Sequence, residues 1–231
     1  MPAYPERVDW RERGAVTPVQ DQGSCNLCWA FATTAAMEGA FFAAHGELKK
    51  LSEQLMGDCC HGDPCGGRDP GCMHGGCIHC ALEWLQSNYQ VLETEYPFIG
   101  NATSSCRMAD FPPQASALAV TILDENSLTQ MLHGLNVVPM AVGVDSSTDD
   151  FMFYKSGIFN DPKCGTDIDH AVLAVGYALA SPMTGQPAYW LIKNSFGTSW
   201  GEEGYIRIMM TKDGDPGICG VQNDCQYATA K

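Results

Sequence analysis

The sequence predicts an α+β chain built in two dissimilar halves. Segments of helical character come first, runs of strand character come later, and Pro112-Pro113 stands between them as the boundary. The division falls at residues 1–112 and 113–231, with no internal repeat and no low-complexity tract in either part.

Residues 28–44 are apolar on nearly every side, carrying Trp29, Phe31, Met37, Phe41 and Phe42, and the run stops at Gly46. A helix of that pattern is buried. Ser52 has the character of an N-cap for a short helix over 53–59, since its hydroxyl can accept an orphan N–H of the first turn. A loop rich in Gly, Cys and His fills 60–76, and a third helix covers 78–88 with Leu82, Trp84 and Leu85 as its apolar positions. After a long connection from Tyr96 to Pro113, Ser127-Leu-Thr-Gln130 forms a capping box for a further short helix. Strands are expected over 137–144, 171–177, 188–194 and 205–210, separated by turn residues.

The chain holds 231 residues, 13 of them basic and 27 acidic, for a net charge of −14. Nucleic acid and anionic membranes require Lys/Arg patches, so neither is expected as a partner. An acidic surface favours solubility and suits an acidic compartment, because many carboxylates stay ionised down to about pH 4–5. No apolar run approaches the roughly 20 residues that span a bilayer. No signal-peptide pattern opens the chain, which is expected to be a mature domain with targeting and pro-segments removed. Twelve cysteines point to disulfides and an oxidising lumen or exterior. The sequon Asn101-Ala-Thr103 makes Asn101 a glycosylation candidate on a secretory route.

The segment Gln20-Asp-Gln22-Gly-Ser-Cys25-Asn-Leu-Cys28-Trp29-Ala-Phe31 is the most informative stretch. Cys28 lies where a Gly-containing loop enters the buried helix. A helix N-terminus carries partial positive charge and unpaired N–H groups, and both favour thiolate over thiol. The same N–H groups can hold the oxyanion formed when a thiolate attacks a carbonyl, and Gln22 can add an amide donor. Taken alone, Cys25 and Cys28 could equally be a redox or metal pair; the Gln-Gly-Ser before and Trp-Ala-Phe after argue against that.

This segment resembles the active-site signature of papain-like cysteine peptidases, and the resemblance covers nearly the whole chain. Val8-Asp-Trp-Arg11, Leu51-Ser-Glu-Gln54, Gly75-Gly76, Asp169-His-Ala-Val172 and Asn194-Ser-Phe-Gly-Thr-Ser-Trp-Gly201 resemble further landmarks in the same order. The resemblance implies the papain-like two-domain fold: a helical left domain, an antiparallel β-barrel-like right domain, and the active site in the cleft between. It implies Cys28 as nucleophile, His170 as its partner, Asn194 accepting a hydrogen bond from the imidazole, and Gln22 in the oxyanion hole. Two positions depart from the family pattern. Asn26-Leu27 stand where Gly-Ser is usual and place bulk beside the pocket preceding the cut bond; Phe196 stands where Trp usually shields the Asn–His bond.

By the same resemblance Gly75 and Gly76 offer their backbone to an extended peptide, much as an added strand pairs. Cys77, Ile78, Gly143 and Ala171 line the pocket for the second residue before the cut, with Asp224 at its far end; Asp169 and Trp200 join the substrate-binding set. That pocket usually takes bulky apolar side chains, and an ionised Asp224 would also accept Arg or Lys. The short stretch between Gly100 and Ala119 leaves no room for an insertion blocking the cleft, which favours an endopeptidase. Peptide and protein substrates, the chain's own propeptide and cystatin-like inhibitors are the implied partners of a monomer in a lysosome, an acidic digestive vacuole or the exterior.

Residues 59–80 carry Cys59, Cys60, His61, Cys65, Cys72, His74, Cys77, His79 and Cys80, a set that alone could hold zinc. The family pattern instead suggests bridges Cys25–Cys72, Cys59–Cys106 and Cys164–Cys219, and Cys60–Cys65 resembles an extra bridge of the cathepsin B branch. No cofactor and no metal are expected. Cys77, Cys80 and Cys225 are left over, so at least one is free or pairs outside the chain, and a free thiol at Cys77 or Cys225 would border the specificity pocket. The rival reading from another class is a catalytically silent relative that binds peptides or partners. Acyl transfer of the transglutaminase type also uses Cys and His, without support from the surrounding motifs.

Overall fold

The structure is a computed structural model that describes residues 4–62, 65, 72, 75–103 and 105–231. Helix α1 (Cys28–His45) is buried on nearly all sides, as its apolar composition requires, and ends at Gly46 in the left-handed region (φ 72°), whose N–H donates to Phe42 O. Helix α2 (Glu53–Cys59) starts at Ser52, whose Oγ accepts the Leu55 N–H at 2.9 Å. Helix α3 (Ile78–Ser87) buries Ile78, Ala81, Leu82 and Leu85, a single stripe at helical spacing. Of the cysteine-rich loop, His74 lies outside the described residues.

Eight strands form one sheet: β1 (Arg7–Asp9), β2 (Ala117–Ile122), β3 (Met140–Val144), β4 (Ile158–Phe159), β5 (His170–Ala178), β6 (Tyr189–Lys193), β7 (Tyr205–Met209) and β8 (Cys225–Ala230). Their order is β2-β8-β3-β5-β6-β7-β4, with β1 also paired to β5; every pair is antiparallel except β4 with β7. Among the described residues β2 and β4 do not pair with each other, so the sheet is open and the expected barrel-like closure is corrected. The strand expected from residue 137 begins at Met140, because the Val137 and Val138 N–H groups still close the α4 (Leu128–Leu135) turn onto Gly134 O and Pro139 has no N–H. The capping box is half formed. Ser127 Oγ accepts the Gln130 N–H, but the Gln130 side chain pairs with Asp124.

Strand β5 sorts its side chains by alternation. Ala171, Leu173 and Val175 join the core built on α1, whereas Val172 and Ala174 join a second core with α4 and with Trp190 of β6; Tyr177 joins that second core too, because the register shifts between Ala174 and Gly176. The chain ends exchange between these cores. Val8, Trp10 and Ala15 pack in the second core, and Ala228 and Ala230 of β8 pack against the helices. Disulfides join Cys25–Cys72, Cys59–Cys106, Cys60–Cys65, Cys77–Cys80 and Cys164–Cys219. Cys77 is therefore bonded to Cys80 and is no free thiol; Cys28 and the buried Cys225 are the two unpaired cysteines. Burial pushes the Cys225 thiol far above its ordinary value, which leaves it unreactive.

Candidate active site

The loop before α1 is folded tightly onto its surroundings. Cys25 is bonded to Cys72, and the Asn26 N–H donates to Cys72 O at 3.0 Å. Leu27 is only 1% exposed and packs against Gly57. The bulk expected beside the pocket from Leu27 is thus turned into the core; Asn26 alone faces the groove. The half-buried Cys28 follows as the first residue of α1, so its N–H has no partner within the helix. Burial pushes its thiol up, and backbone amides of Ala171 and Trp29 directed at the sulfur pull the other way.

His170 opens β5 and faces the same groove as Cys28. Its Nε2 lies 2.8 Å from Asn194 Oδ1, which also accepts the Ser195 N–H at 2.8 Å. That second donor pins the amide with its oxygen towards the imidazole, so Nε2 carries the hydrogen and Nδ1 is the nitrogen left to exchange a proton. Burial pushes the imidazolium down, opposed by the Asn194 hydrogen bond and the Asp169 charge. The Asp169 carboxylate is held by the Ser146 N–H and Oγ–H at 2.8 and 2.9 Å. Phe196 stacks on the His170 ring with centroids 4.7 Å apart, an apolar cover over the Asn–His bond.

Gln22 ties the nucleophile loop to the asparagine loop. Its Nε2–H donates to Cys25 O at 2.9 Å, its Oε1 accepts the Ser195 Oγ–H at 2.6 Å, and its own N–H donates to Ser195 O at 2.9 Å. One amide hydrogen remains, and Gln22 lines the groove beside Cys28 and His170.

On the other side of Cys28 the groove holds about 490 Å³, between Gly75, Gly76, Cys77 and Ile78 on one wall and Asp169, Ala171 and Asp224 on the other. A side chain at residue 76 would overlap the Trp29 ring, so only glycine brings the backbone to this wall. Gly143 lies under Ile168 and Asp224, and its N–H donates to Asp224 O at 2.8 Å. Trp200 is placed differently from its expectation. It is buried behind Phe196, donates its indole N–H to Met152 O at 3.0 Å, and lines neither stretch of the groove. Ile168 and His79 line the groove without having been singled out for it. For His79 the available signal was phase: it follows the inward-facing Ile78 at the start of α3 and so turns outward.

Among the described residues no helix is long and apolar enough to cross a membrane. The family model described as papain family cysteine protease matches residues 4–229. Papaya proteinase 4 of Carica papaya is 40% identical over 224 residues, which are 96% of this chain and 61% of that protein. Procathepsin L of Felis catus is 40% identical over 224 residues, 94% of this chain and 64% of that protein. The chain spans about three fifths of the length of the curated relatives it matches. A solved structure of a Carica candamarcensis cysteine protease in complex with E-64 aligns with a TM-score of 0.86 at 38% identity, covering 97% of this chain and 98% of that one.

Proposed function

Because the chain belongs to the papain family of cysteine proteases, we propose that it hydrolyses internal peptide bonds with Cys28 as nucleophile and His170 as its proton partner. The observation that carries this reading is the His170–Asn194 hydrogen bond, which leaves Nδ1 available on the groove that also holds Cys28. Burial penalises each charge taken singly. Passing the thiol proton to Nδ1 creates both charges together, and each then offsets the other. The thiolate attacks the carbonyl carbon, and the oxyanion is held by the Gln22 amide and the Cys28 N–H. The imidazolium gives its proton to the leaving amine as the C–N bond breaks. Water, deprotonated by the imidazole, then hydrolyses the thioester.

The substrate lies extended along Gly75 and Gly76, with its second residue before the cut between Ile78, Ala171 and Asp224. Bulky apolar side chains fit this pocket, and Arg or Lys fit when Asp224 is ionised. A two-domain division near residue 112, with the chain ends exchanged, belongs to the same reading. So do a propeptide, cystatin-like inhibitors, a monomeric state, and a lysosomal, vacuolar or secreted location; the similarity to Procathepsin L and the five disulfides support the pro-form and the oxidising compartment. Asn101 is exposed, as a glycosylated residue must be. The test is Cys28→Ala. Its thermal midpoint should match that of the parent chain while peptide turnover falls to background. Hydrolysis by a purified Cys28→Ala sample overturns the assignment.

A further inference from the structure

The first turn of α3 carries chemistry that peptide hydrolysis does not use. Cys77, His79 and Cys80 bring two sulfurs and an imidazole within 4.8 Å of one another. The His79 ring nitrogens lie 3.3 and 3.4 Å from the Cys77 sulfur, and Nε2 lies 3.4 Å from the Cys80 sulfur. Cys77 and Cys80 are bonded to each other, with Cα atoms 5.3 Å apart. His79 is exposed and both cysteines are half-buried, whereas in each of the other four bridges at least one cysteine is buried, even where its partner is exposed, as at Cys106. Cys77–Cys80 is thus the bridge in which both sulfurs are open to an external thiol. The helix N-terminus favours the thiolates that would result, and the Cys77 sulfur already accepts the Cys80 N–H at 3.2 Å.

We propose that reduction turns the Cys77–Cys80 bridge into a binding site for a divalent transition-metal ion of the zinc type, with both sulfurs and His79 as ligands, on the wall of the substrate groove. The electrons come from two molecules of a small thiol. The thiolate of the first attacks one sulfur and breaks the S–S bond, giving a mixed disulfide and one protein thiol. The second attacks the mixed disulfide, freeing the other protein thiol and releasing the oxidised small-molecule disulfide. The metal ion then displaces the two thiol protons. A two-residue spacer between cysteines is a recurrent zinc-chelating arrangement, and tetrahedral bonds of about 2.0–2.3 Å set neighbouring ligand atoms roughly 3.3–3.8 Å apart. The sulfur–nitrogen distances already lie in that range; the two sulfurs need only separate. Asp224 lines the same groove near His79 but lies outside that three-ligand cluster, so the fourth position goes to water. Metal at this turn would narrow the groove beside Gly76 and slow cleavage. That consequence rests on the proposed peptidase activity, whereas binding itself does not.

The test uses the full chain carrying Cys28→Ala, so that the groove's other thiol cannot ligate. Limiting dithiothreitol is added, the opened bridge is mapped by differential alkylation, and Co²⁺ is titrated. The expected result is opening of Cys77–Cys80 first and one Co²⁺ per chain with a thiolate-to-cobalt absorption band, displaced by Zn²⁺. Affinity should fall at least about tenfold in His79→Ala, which removes one of three protein ligands, and the band should vanish in Cys77→Ser/Cys80→Ser. A chain mapped as reduced at both cysteines that binds no metal overturns the proposal. So does a band that survives in the double serine variant, or a first-opened bridge elsewhere with Cys77–Cys80 intact. Turnover of the Cys28-containing chain is measured separately, so failure of metal binding and failure of the peptidase reading are distinguishable.

Discussion

Asn194 Oδ1 receives two N–H donors at 2.8 Å each, and that one atom decides which imidazole nitrogen faces the groove. Gln22 is fixed just as firmly, by Cys25 O on one side and Ser195 Oγ on the other. Its remaining amide hydrogen is the proposed oxyanion donor, so Gln22→Ala should lower kcat by about 10²–10³ with little change in KM. Gln22→Glu keeps the shape and the acceptor for Ser195 but loses the donor, and should lose a similar factor. Steady-state kinetics on both decide it: a change confined to KM removes Gln22 from the oxyanion hole. At the far end of the pocket, burial pushes the Asp224 carboxyl above its ordinary value, with the His79 charge opposing. While protonated, Asp224 offers Arg or Lys no counter-charge; the attraction appears as pH rises through the raised value. The ratio of kcat/KM for Arg over Phe at the second position should therefore climb with pH, from above about pH 4, and stay flat in Asp224→Asn. An equal climb in both variants takes Asp224 out of the pocket. Cys28 and Gln22 were legible from a loop entering a buried helix, and His170 and Asn194 from their resemblance to family motifs, because each of these signals is contained in one short segment. The burial of Leu27 and Trp200 was not, because it is set by Gly57 and Phe196, which no spacing rule connects to them.

The same distinction holds for the elements. Helices α1, α2 and α3 were readable from periodicity, the Ser52 cap and Gly46, all contained within the segments themselves. Strands β1, β2 and β8 were not. β1 is three residues long, β2 buries only its first residue fully, and β8 carries a buried Gln226. Each owes its strand state to a partner far along the chain rather than to its own pattern. β1 depends on Gly176, where β5 shifts register and a Cβ would overlap the Val8 carbonyl oxygen. Neither backbone can yield without parting the pair, so Gly176→Ala should cost about 2–3 kcal/mol, the usual range for overpacking. At this chain length that lowers the thermal midpoint by roughly 5–10 °C. Calorimetry checks it, and an unchanged midpoint would mean that β1 contributes nothing to holding the fold.

Across the molecule the two cores meet over a buried group of charges that balance one another. Glu38 of α1 accepts the Leu51 N–H at 2.9 Å and the Thr17 Oγ–H at 2.6 Å, and lies 3.3 Å from Lys50. Lys50 also pairs with Glu53 at the start of α2. From the sheet, Lys193 of β6 donates to Thr17 Oγ at 3.1 Å and is only 6% exposed. Burial pushes the Lys193 ammonium down, and the Glu38 charge holds it up. Two carboxylates and two ammonium groups thus share one interior, with Thr17 as the hydrogen-bonded link between Glu38 and Lys193. Such a set stabilises little compared with an apolar filling, but losing one member strands its partner in a poor solvent for charge, at a cost of about 3–5 kcal/mol. Glu38→Gln should therefore destabilise strongly, because Lys193 loses the larger of its two counter-charges, leaving Glu53 shared with Lys50. Adding Lys193→Met should recover part of the loss, because no ammonium is then buried unpaired. Denaturant midpoints for the four members of that cycle give the coupling directly. A double variant as unstable as the sum of the singles would show that Glu38 and Lys193 act independently, and that the two halves are held together without help from this pair.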